Sequence, residues 1–220
     1  MTSIIPSLSL SAIRALSPAA IASFTADDVA ALSANQVRVF SAAQIAAFEA
    51  EDFEVMNEAQ LRAITTRAIK GLTVDQLAML DAAKVDGFTG AQVRALTASQ
   101  LGALSAEQVE ALNAAQIGTL NAAQIAALGP DGIAEFLPAE IAAIGVRAVS
   151  GLSAEAIAAL GSDPRAALTR AQMAALKADQ IAAMTPWQIG DLGTDQIAAL
   201  SAKAVAGLSV EQVEALAPEQ

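Results

Sequence analysis

The chain has 220 residues, with 12 Lys and Arg against 23 Asp and Glu, which gives a formal net charge of −11. This charge disfavours nucleic acid and anionic membranes as partners, because both are polyanions. The chain has no Cys and no His, which excludes disulfides, thiolate and imidazole metal ligands, and Cys- or His-based catalysis. Aromatic residues make up only 3% of the chain, so its apolar layers must be thin.

Residues 1–8 precede the regular part of the sequence and form a lead-in. They have no basic stretch before an apolar core, so they do not resemble a Sec signal peptide. Residues 111–130 carry no charge and are long enough to raise the question of a membrane span. Polar residues recur in them at regular places, for example Asn113 and Gln116, so we expect no membrane insertion.

Residues 9–216 consist of one eight-residue phrase repeated 26 times without insertion or deletion, and each copy is an octad here. Position 8 of the octad falls on every multiple of eight and is always apolar, while position 5 is apolar in every octad except at Arg165. A fixed period of this kind is typical of a solenoid, whose units bury their apolar face by stacking. We therefore expect one domain over residues 9–216.

Each octad is predicted to be a short helix followed by a turn. Eight residues overshoot two helical turns by roughly 80°, so a continuous helix could not keep one apolar face. Position 1 is Ser, Thr, Asn or Asp in 19 octads, as at a helix N-cap, and all 15 glutamines stand three residues later, as in a capping box. The sequence thus predicts an all-α solenoid of very short helices, elongated into a superhelical rod, with two or three octads per coil.

The glutamines at position 4 have a second interpretation. If coils stack in register, their side chains form a column in which each amide bonds to the next, whereas glutamates there would repel one another. We take the capping role as the main expectation and the amide ladder as a hypothesis. The glutamines that represent both are Gln108, Gln116 and Gln124.

Three departures from the phrase lie along the chain. Five acids between Glu49 and Glu58 form an acidic corner, in which a weak divalent cation site is the alternative to plain solvation. The octads 65–72, 145–152 and 201–208 have a basic residue at position 3 or nearby and Gly at position 7. Their basic side chains are too sparse for a nucleic-acid stripe and are expected to be solvated.

The third departure is the glutamine-free section 129–168, where we expect a kink or a loosened coil because of its Gly and Pro residues. Within it, Pro164 stands at position 4 and Arg165 replaces the apolar residue of position 5. The arginine is expected to pair with an acid such as Asp163 or to turn to solvent. Further on, Trp187 is the only Trp and occupies a polar position, either as an exposed binding anchor or lying over a neighbouring coil.

Residues 217–220 begin another octad and stop after its Gln, and neither end has the polar residues of a finished cap. We expect a segment of a longer array or a unit that stacks end to end. No catalytic constellation, phosphate loop or cofactor motif is present, so we expect a non-enzymatic protein without cofactor or small-molecule substrate, whose partner is another protein or itself.

The phrases Leu-Thr-Ala-Ser-Gln-Leu-Gly-Ala-Leu at 96–104 and Leu-Asn-Ala-Ala-Gln-Ile-Ala-Ala-Leu at 120–128 resemble octad arrays of very long bacterial secreted or surface proteins of the adhesin-like type. The resemblance covers nearly the whole chain and implies an extracellular or surface role as a spacer or binding rod, but transfers no functional residue. The alternative function is an acidic solenoid that mimics DNA and inhibits a DNA-binding enzyme. A continuous line of carboxylates would favour this mimic.

Overall fold

The computed structural model describes residues 3–220, which form 24 short α-helices and three 3₁₀ helices and contain no β-strand. The prediction of an all-α solenoid of very short helices is confirmed. The chain divides into two compact units, the first ending at Leu112 and the second starting at Asn113. No helix in the described part of the chain is long and apolar enough to span a bilayer.

The helices of the first unit are η1 (Ile5–Ser7), α1 (Leu10–Ala15), α2 (Pro18–Ile21), α3 (Ala26–Ala30), α4 (Ala34–Val37), α5 (Ala42–Ile45), α6 (Asp52–Val55), α7 (Glu58–Ala63), η2 (Ile69–Gly71), α8 (Val74–Ala78), α9 (Ala82–Asp86), α10 (Gly90–Ala95), α11 (Ala98–Leu101) and α12 (Ala106–Glu110). Those of the second unit are α13 (Ala114–Ile117), α14 (Ala122–Ala127), α15 (Gly129–Ala134), α16 (Pro138–Ala143), η3 (Val149–Gly151), α17 (Ala154–Ala159), α18 (Ser162–Ala166), α19 (Arg170–Ala175), α20 (Ala178–Ala182), α21 (Pro186–Gly190), α22 (Thr194–Ile197), α23 (Ala202–Val205) and α24 (Val210–Glu214).

Most of the α-helices begin at a side-chain cap, and α12 is representative. The extended backbone of Ser105 places its hydroxyl to accept the N–H of Gln108, while the Gln108 side-chain oxygen accepts the Ser105 N–H at 2.9 Å. Both orphan donors of the first turn are satisfied in this way, a geometry that contributes about 1 kcal/mol per cap. Because helices of four to six residues are not stable alone, the remaining stability must come from packing between coils.

Successive coils stack through helices that belong to octads three apart. Helix α12 contacts α9 in the first unit, and α17 contacts α20 in the second. The side chain of Gln108 reaches farther back, to the carbonyls of Leu77 and Leu80, which lie 31 and 28 residues earlier. One coil therefore takes between three and four octads. Of the two alternatives from the sequence, two octads per coil is wrong, and three octads is the spacing of the packed helices but shorter than that of the glutamine bridges.

The apolar layer consists of positions 5 and 8, as expected. Val109 and Leu112 are 2% and 1% exposed, and Leu120 is also buried, whereas Ala106 at position 2 is exposed. The layer continues through the glutamine-free section, where Ile133, Ile141 and Ile157 are as buried as elsewhere. Of the two expectations, the loosened coil is wrong, because apolar side chains at positions 5 and 8 fill the layer. The expected kink has a local counterpart in the positive φ of 72° at Gly129, where α14 gives way to α15.

The octads 65–72, 145–152 and 201–208, which have Ala at position 4 and Gly at position 7, lie closer to the neighbouring coil. A Cβ on Gly71 or Gly151 would lie 2.0 Å from the carbonyl oxygen of Ala42 or Ala122, and one on Gly207 would lie 2.3 Å from that of Ala178. Position 4 in these octads is a buried alanine, such as Ala148. Small residues at both positions let the backbones of neighbouring coils touch.

Candidate functional site

Arg165 lies inside the apolar layer, on helix α18. It occupies position 5, where every other octad has an apolar side chain, and is only 1% exposed. Its Nη1 donates to the Leu160 carbonyl at 3.0 Å, and its Nη2 donates to Asp191 Oδ2 at 2.5 Å. The arginine thus pairs with an acid, but the acid is Asp191 of the next coil and not Asp163, and the side chain does not turn to solvent. The coil is not opened, because a carboxylate on the neighbouring coil neutralises the guanidinium.

This ion pair is unfavourable for the folding free energy of a thin solenoid, because its arginine is removed from water. Its arginine is buried while the Asp191 side chain is 40% exposed, so the pair runs from the apolar layer to the surface. The Arg165 Nε is buried and has no hydrogen-bond partner in the described residues. Replacing a buried ion pair by apolar side chains is often neutral or stabilising. The stability of the fold therefore does not explain an arginine at this position. Its contact with a side chain at the surface offers another explanation.

The side chain that Arg165 contacts at the surface is Trp187, on helix α21. The indole lies over the Arg165 guanidinium, with 5.2 Å between the Arg165 Cζ and the ring centroid, yet Trp187 remains 66% exposed. One face of the ring is thus occupied by a cation–π contact and the rest is open to solvent. Of the two interpretations of Trp187 from the sequence, both apply in part: it covers a neighbouring coil and is exposed.

A shallow groove of about 320 Å³ runs beside the indole, lined by Pro186, Trp187, Gly190, Asp191 and Ala215. A Cβ on Gly190 would lie 2.6 Å from the Ala215 carbonyl oxygen, so this wall also requires a glycine. The groove combines an aromatic face, a prolyl ring and one edge of a carboxylate. Such a surface can bind another molecule, but it contains no pair of groups that could act as nucleophile and base.

Pro164 lies in the first turn of α18 and does not line the groove. Its N-cap is Gly161, which has no side chain to accept a hydrogen bond, while Pro164 itself has no N–H to donate. The missing cap side chain therefore leaves no donor of Pro164 unsatisfied, and the Gly161 N–H, which a glutamine at position 4 would bond, belongs to an exposed residue. The position of Pro164 is explained by helix capping.

The three representative glutamines are all buried and close capping boxes with Ser105, Asn113 and Asn121. For Gln108 the amide ladder is wrong, because the Nε2 donates to the backbone carbonyls of Leu77 and Leu80 at 2.8 and 2.6 Å. Two carbonyls of the preceding coil lie nearer to the amide than another glutamine does. The same donation to backbone carbonyls 28–31 residues earlier is found at Gln36, Gln44, Gln60, Gln76, Gln92, Gln100, Gln172, Gln180, Gln196 and Gln212.

The carboxylates of the acidic corner, between Glu49 and Glu58, do not form a metal-binding cluster. Asp52 is buried and accepts the Glu49 N–H at 2.9 Å, and Glu58 pairs with Arg62 at 3.0 Å. Burial raises the pKa of Asp52, with repulsion from Glu49 and Glu51 adding to the shift and the Glu49 hydrogen bond opposing it. Within residues 3–220, no group of three or more acidic side chains is placed to hold a metal ion.

The sequence indicated Arg165 and Trp187 separately but not their contact, and it missed Asp191. Asp191 stands at position 7, which is Ala or Gly in 19 octads, and that departure was the available signal. The two partners of the ion pair are 26 residues apart, which is neither a multiple of eight nor a helical spacing. Only the length of a coil brings them together.

The comparisons with known proteins indicate a repeat protein and give no more specific relationship. A family profile described as the ALTTAQ repeat matches residues 45–89. No curated protein matches the chain significantly. Among solved structures, the leucine-rich repeat-containing protein LegL7 from Legionella pneumophila is similar over 90% of this chain and 77% of its own, at 13% identity and a TM-score of 0.28. A likeness that low carries no argument about fold or function.

Proposed function

We propose that this repeat protein is a non-enzymatic binding rod whose recognition patch is the exposed face of Trp187. The observation that carries the proposal is the position of the indole, two-thirds exposed and held from beneath by a buried arginine. Trp is the residue type most enriched among interface residues that dominate binding energy. Here its orientation is already fixed by Arg165, so little side-chain entropy remains to be lost on association.

The test compares three forms of the chain as baits for proteins from the surface and medium of the producing cell. They are the wild type, Trp187→Ala, and Val210→Ala as a matched control, because Val210 is a similarly exposed apolar residue at 71%. Truncating a hot-spot residue costs about 2–4 kcal/mol, so the dissociation constant of the partner should rise about 30- to 1,000-fold for Trp187→Ala. Val210→Ala should change it less than twofold. A partner bound equally by all three forms would contradict the proposal.

The wider setting is the finer part of the proposal. The octad phrases at 96–104 and 120–128 resemble those of adhesin-like arrays, which supports a place in a bacterial secreted or surface protein as a spacer or binding segment. Exposure on intact cells checks this: an antibody against the chain should label unpermeabilised cells. Labelling only after permeabilisation would contradict a surface location.

End-to-end stacking is a further part of the proposal, with the partner being a second copy. It is supported by the exposed position-5 residues Val205 and Val213, at 47% and 52%, where interior octads bury this position. The first three octads carry no glutamine at position 4, so such a contact would have no amide bridges from them. We therefore expect weak association, visible in light scattering only at high concentration and abolished by Val213→Lys. Scattering that does not rise with concentration would contradict stacking.

The alternative of a DNA mimic has a limited basis in the placement of acids. Asp131, Glu155 and Asp179 stand at position 3 of the stacked helices α15, α17 and α20, but the row meets Lys203 on α23. A row of carboxylates that mimics DNA phosphates would have to continue without a basic residue. Competition with duplex DNA for a DNA-binding enzyme is the discriminating assay, and we expect none.

A further inference from the structure

In the first unit a groove of about 500 Å³ is lined by the side chains of Arg14, Arg38 and Arg67 and contains no acidic residue in its lining. Arg14 lies on α1, Arg38 caps the C-terminus of α4, and Arg67 precedes η2. Helices α1 and α4 are in contact, so the three guanidinium groups belong to successive coils. Three of the 12 basic residues of the chain thus meet in one groove.

These arginines are also unpaired, which is unexpected in so acidic a chain. Acids outnumber bases by 23 to 12, and Arg62, Lys84, Arg165 and Arg170 each have a carboxylate partner. Within the described residues, none of the three groove arginines forms an ion pair. All three are exposed, so their donors point into water and not into the fold. The three charges therefore face the groove without a carboxylate in its lining.

The rest of the lining consists of the hydroxyl residues Ser41, Thr65 and Thr66 and of the apolar Val39 and Phe40. Thr65 accepts the Ala68 N–H through its Oγ1, which leaves the hydroxyl proton available, and Thr66 lies beside it in the groove. Arginine forks and hydroxyl donors are the groups that bind phosphate and sulfate oxygens, because the guanidinium matches a pair of oxygens and keeps its charge at every relevant pH.

We propose that the groove of Arg14, Arg38 and Arg67 binds a compact polyvalent oxyanion, namely a small ligand with two or more phosphate groups. The three guanidinium groups carry three positive charges, which two or more phosphate groups balance more fully than a single phosphate does. A long nucleic acid is disfavoured, because beyond the groove it would meet a surface that makes the net charge −11. The site is distinct from the Trp187 patch and does not depend on the binding function proposed above.

The test uses isothermal titration of the intact chain with pyrophosphate, inorganic phosphate and a single-stranded oligonucleotide at fixed salt. The variant is Arg38→Gln, because Arg38 is the middle one of the three groove arginines in the sequence. The matched control is Arg147→Gln, because Arg147 occupies position 3 of octad 145–152, as Arg67 does in octad 65–72, but lines no such groove. Both changes are at exposed side chains, and unchanged thermal unfolding confirms that each variant is folded.

We expect pyrophosphate to bind at least tenfold more tightly than phosphate, and Arg38→Gln to weaken it 10- to 100-fold, the range for losing charge-assisted hydrogen bonds. Arg147→Gln should change affinity less than twofold, and Arg14→Gln should repeat the effect of Arg38→Gln. The proposal is overturned if pyrophosphate does not bind, if Arg38→Gln and Arg147→Gln have equal effects, or if the oligonucleotide binds more tightly than pyrophosphate through Arg38.

Discussion

Octads 105–112 and 145–152 follow the same period but join their coils in different ways. In the first, Gln108 fills the space between coils and donates to two carbonyls of the preceding coil. In the second, Ala148 is small and Gly151 brings its backbone against Ala122, with no side chain between them. Both bury their position-5 and position-8 residues equally well.

The difference shows that the apolar layer and the joint between coils are separate requirements. An amide bridge needs room for a four-atom side chain and two free carbonyls, whereas a direct backbone contact needs a residue without Cβ. In these two octads positions 4 and 7 differ together: glutamine is paired with alanine in octad 105–112, and alanine with glycine in octad 145–152. The two joints should respond to opposite substitutions.

The largest effect is expected at the glycine joint. Gly151→Ala would place a Cβ 2.0 Å from the Ala122 carbonyl oxygen, closer than any packing tolerates, so the two coils must separate. We expect a loss of about 3 kcal/mol or more in unfolding free energy, at the upper end of overpacking costs. Gly145→Ala in the same octad is the control, because nothing lies within 4 Å of its added Cβ, and it should cost less than about 1 kcal/mol. Similar losses for both would show that the coils are not in contact at Gly151.

The apolar layer should not distinguish the two joints. Leu112→Ala and Leu152→Ala each remove a buried side chain and should each cost about 2–4 kcal/mol in chemical denaturation. Ala106→Ser, at an exposed helical position, should cost well under about 1 kcal/mol. If Leu152→Ala were nearly neutral while Leu112→Ala was costly, the layer would be incomplete in the octads without glutamine.

A smaller gain is expected where an amide bridge is absent. Asp52 stands at position 4, and the carbonyls of Ile21 and Phe24 lie at the spacing that other glutamines reach. Asp52→Gln should add a bridge and stabilise the chain by about 1–2 kcal/mol at pH 7, the net value of two neutral hydrogen bonds. Because burial raises the pKa of Asp52, folding takes up a proton there and the ionised form costs stability. The gain should therefore be full above the folded pKa and shrink as the pH falls through it.

Local features of the fold could be predicted from the sequence, whereas contacts between coils could not. The capping of Ser105 by Gln108 involves residues three apart, so residue types and spacing are enough. The bridge from Gln108 to Leu77 and the pair of Arg165 with Asp191 depend on the length of a coil, which follows from small backbone rotations summed over more than three octads. The groove of Arg14, Arg38 and Arg67 was missed for the same reason. Their separations of 24 and 29 residues indicate neighbouring coils only once a coil is known to take between three and four octads.

The central claim is that glutamine at position 4 joins coils as well as capping a helix, and Gln108→Glu tests it most directly. Glutamate keeps the oxygen that accepts the Ser105 N–H and fits a capping box as well as glutamine does. It replaces the Nε2 donor, however, with a charged oxygen that faces the carbonyls of Leu77 and Leu80 in a buried site.

The measurement is the unfolding free energy of the wild type and of Gln108→Glu between pH 4 and pH 8. Our account predicts a loss of about 2–4 kcal/mol at pH 7, because a buried carboxylate is left facing two acceptors. The loss should decrease as the pH falls, since burial raises the pKa of the new carboxyl and its protonated form can donate one hydrogen bond. A loss below about 0.5 kcal/mol with no dependence on pH would mean that the glutamine only caps its own helix.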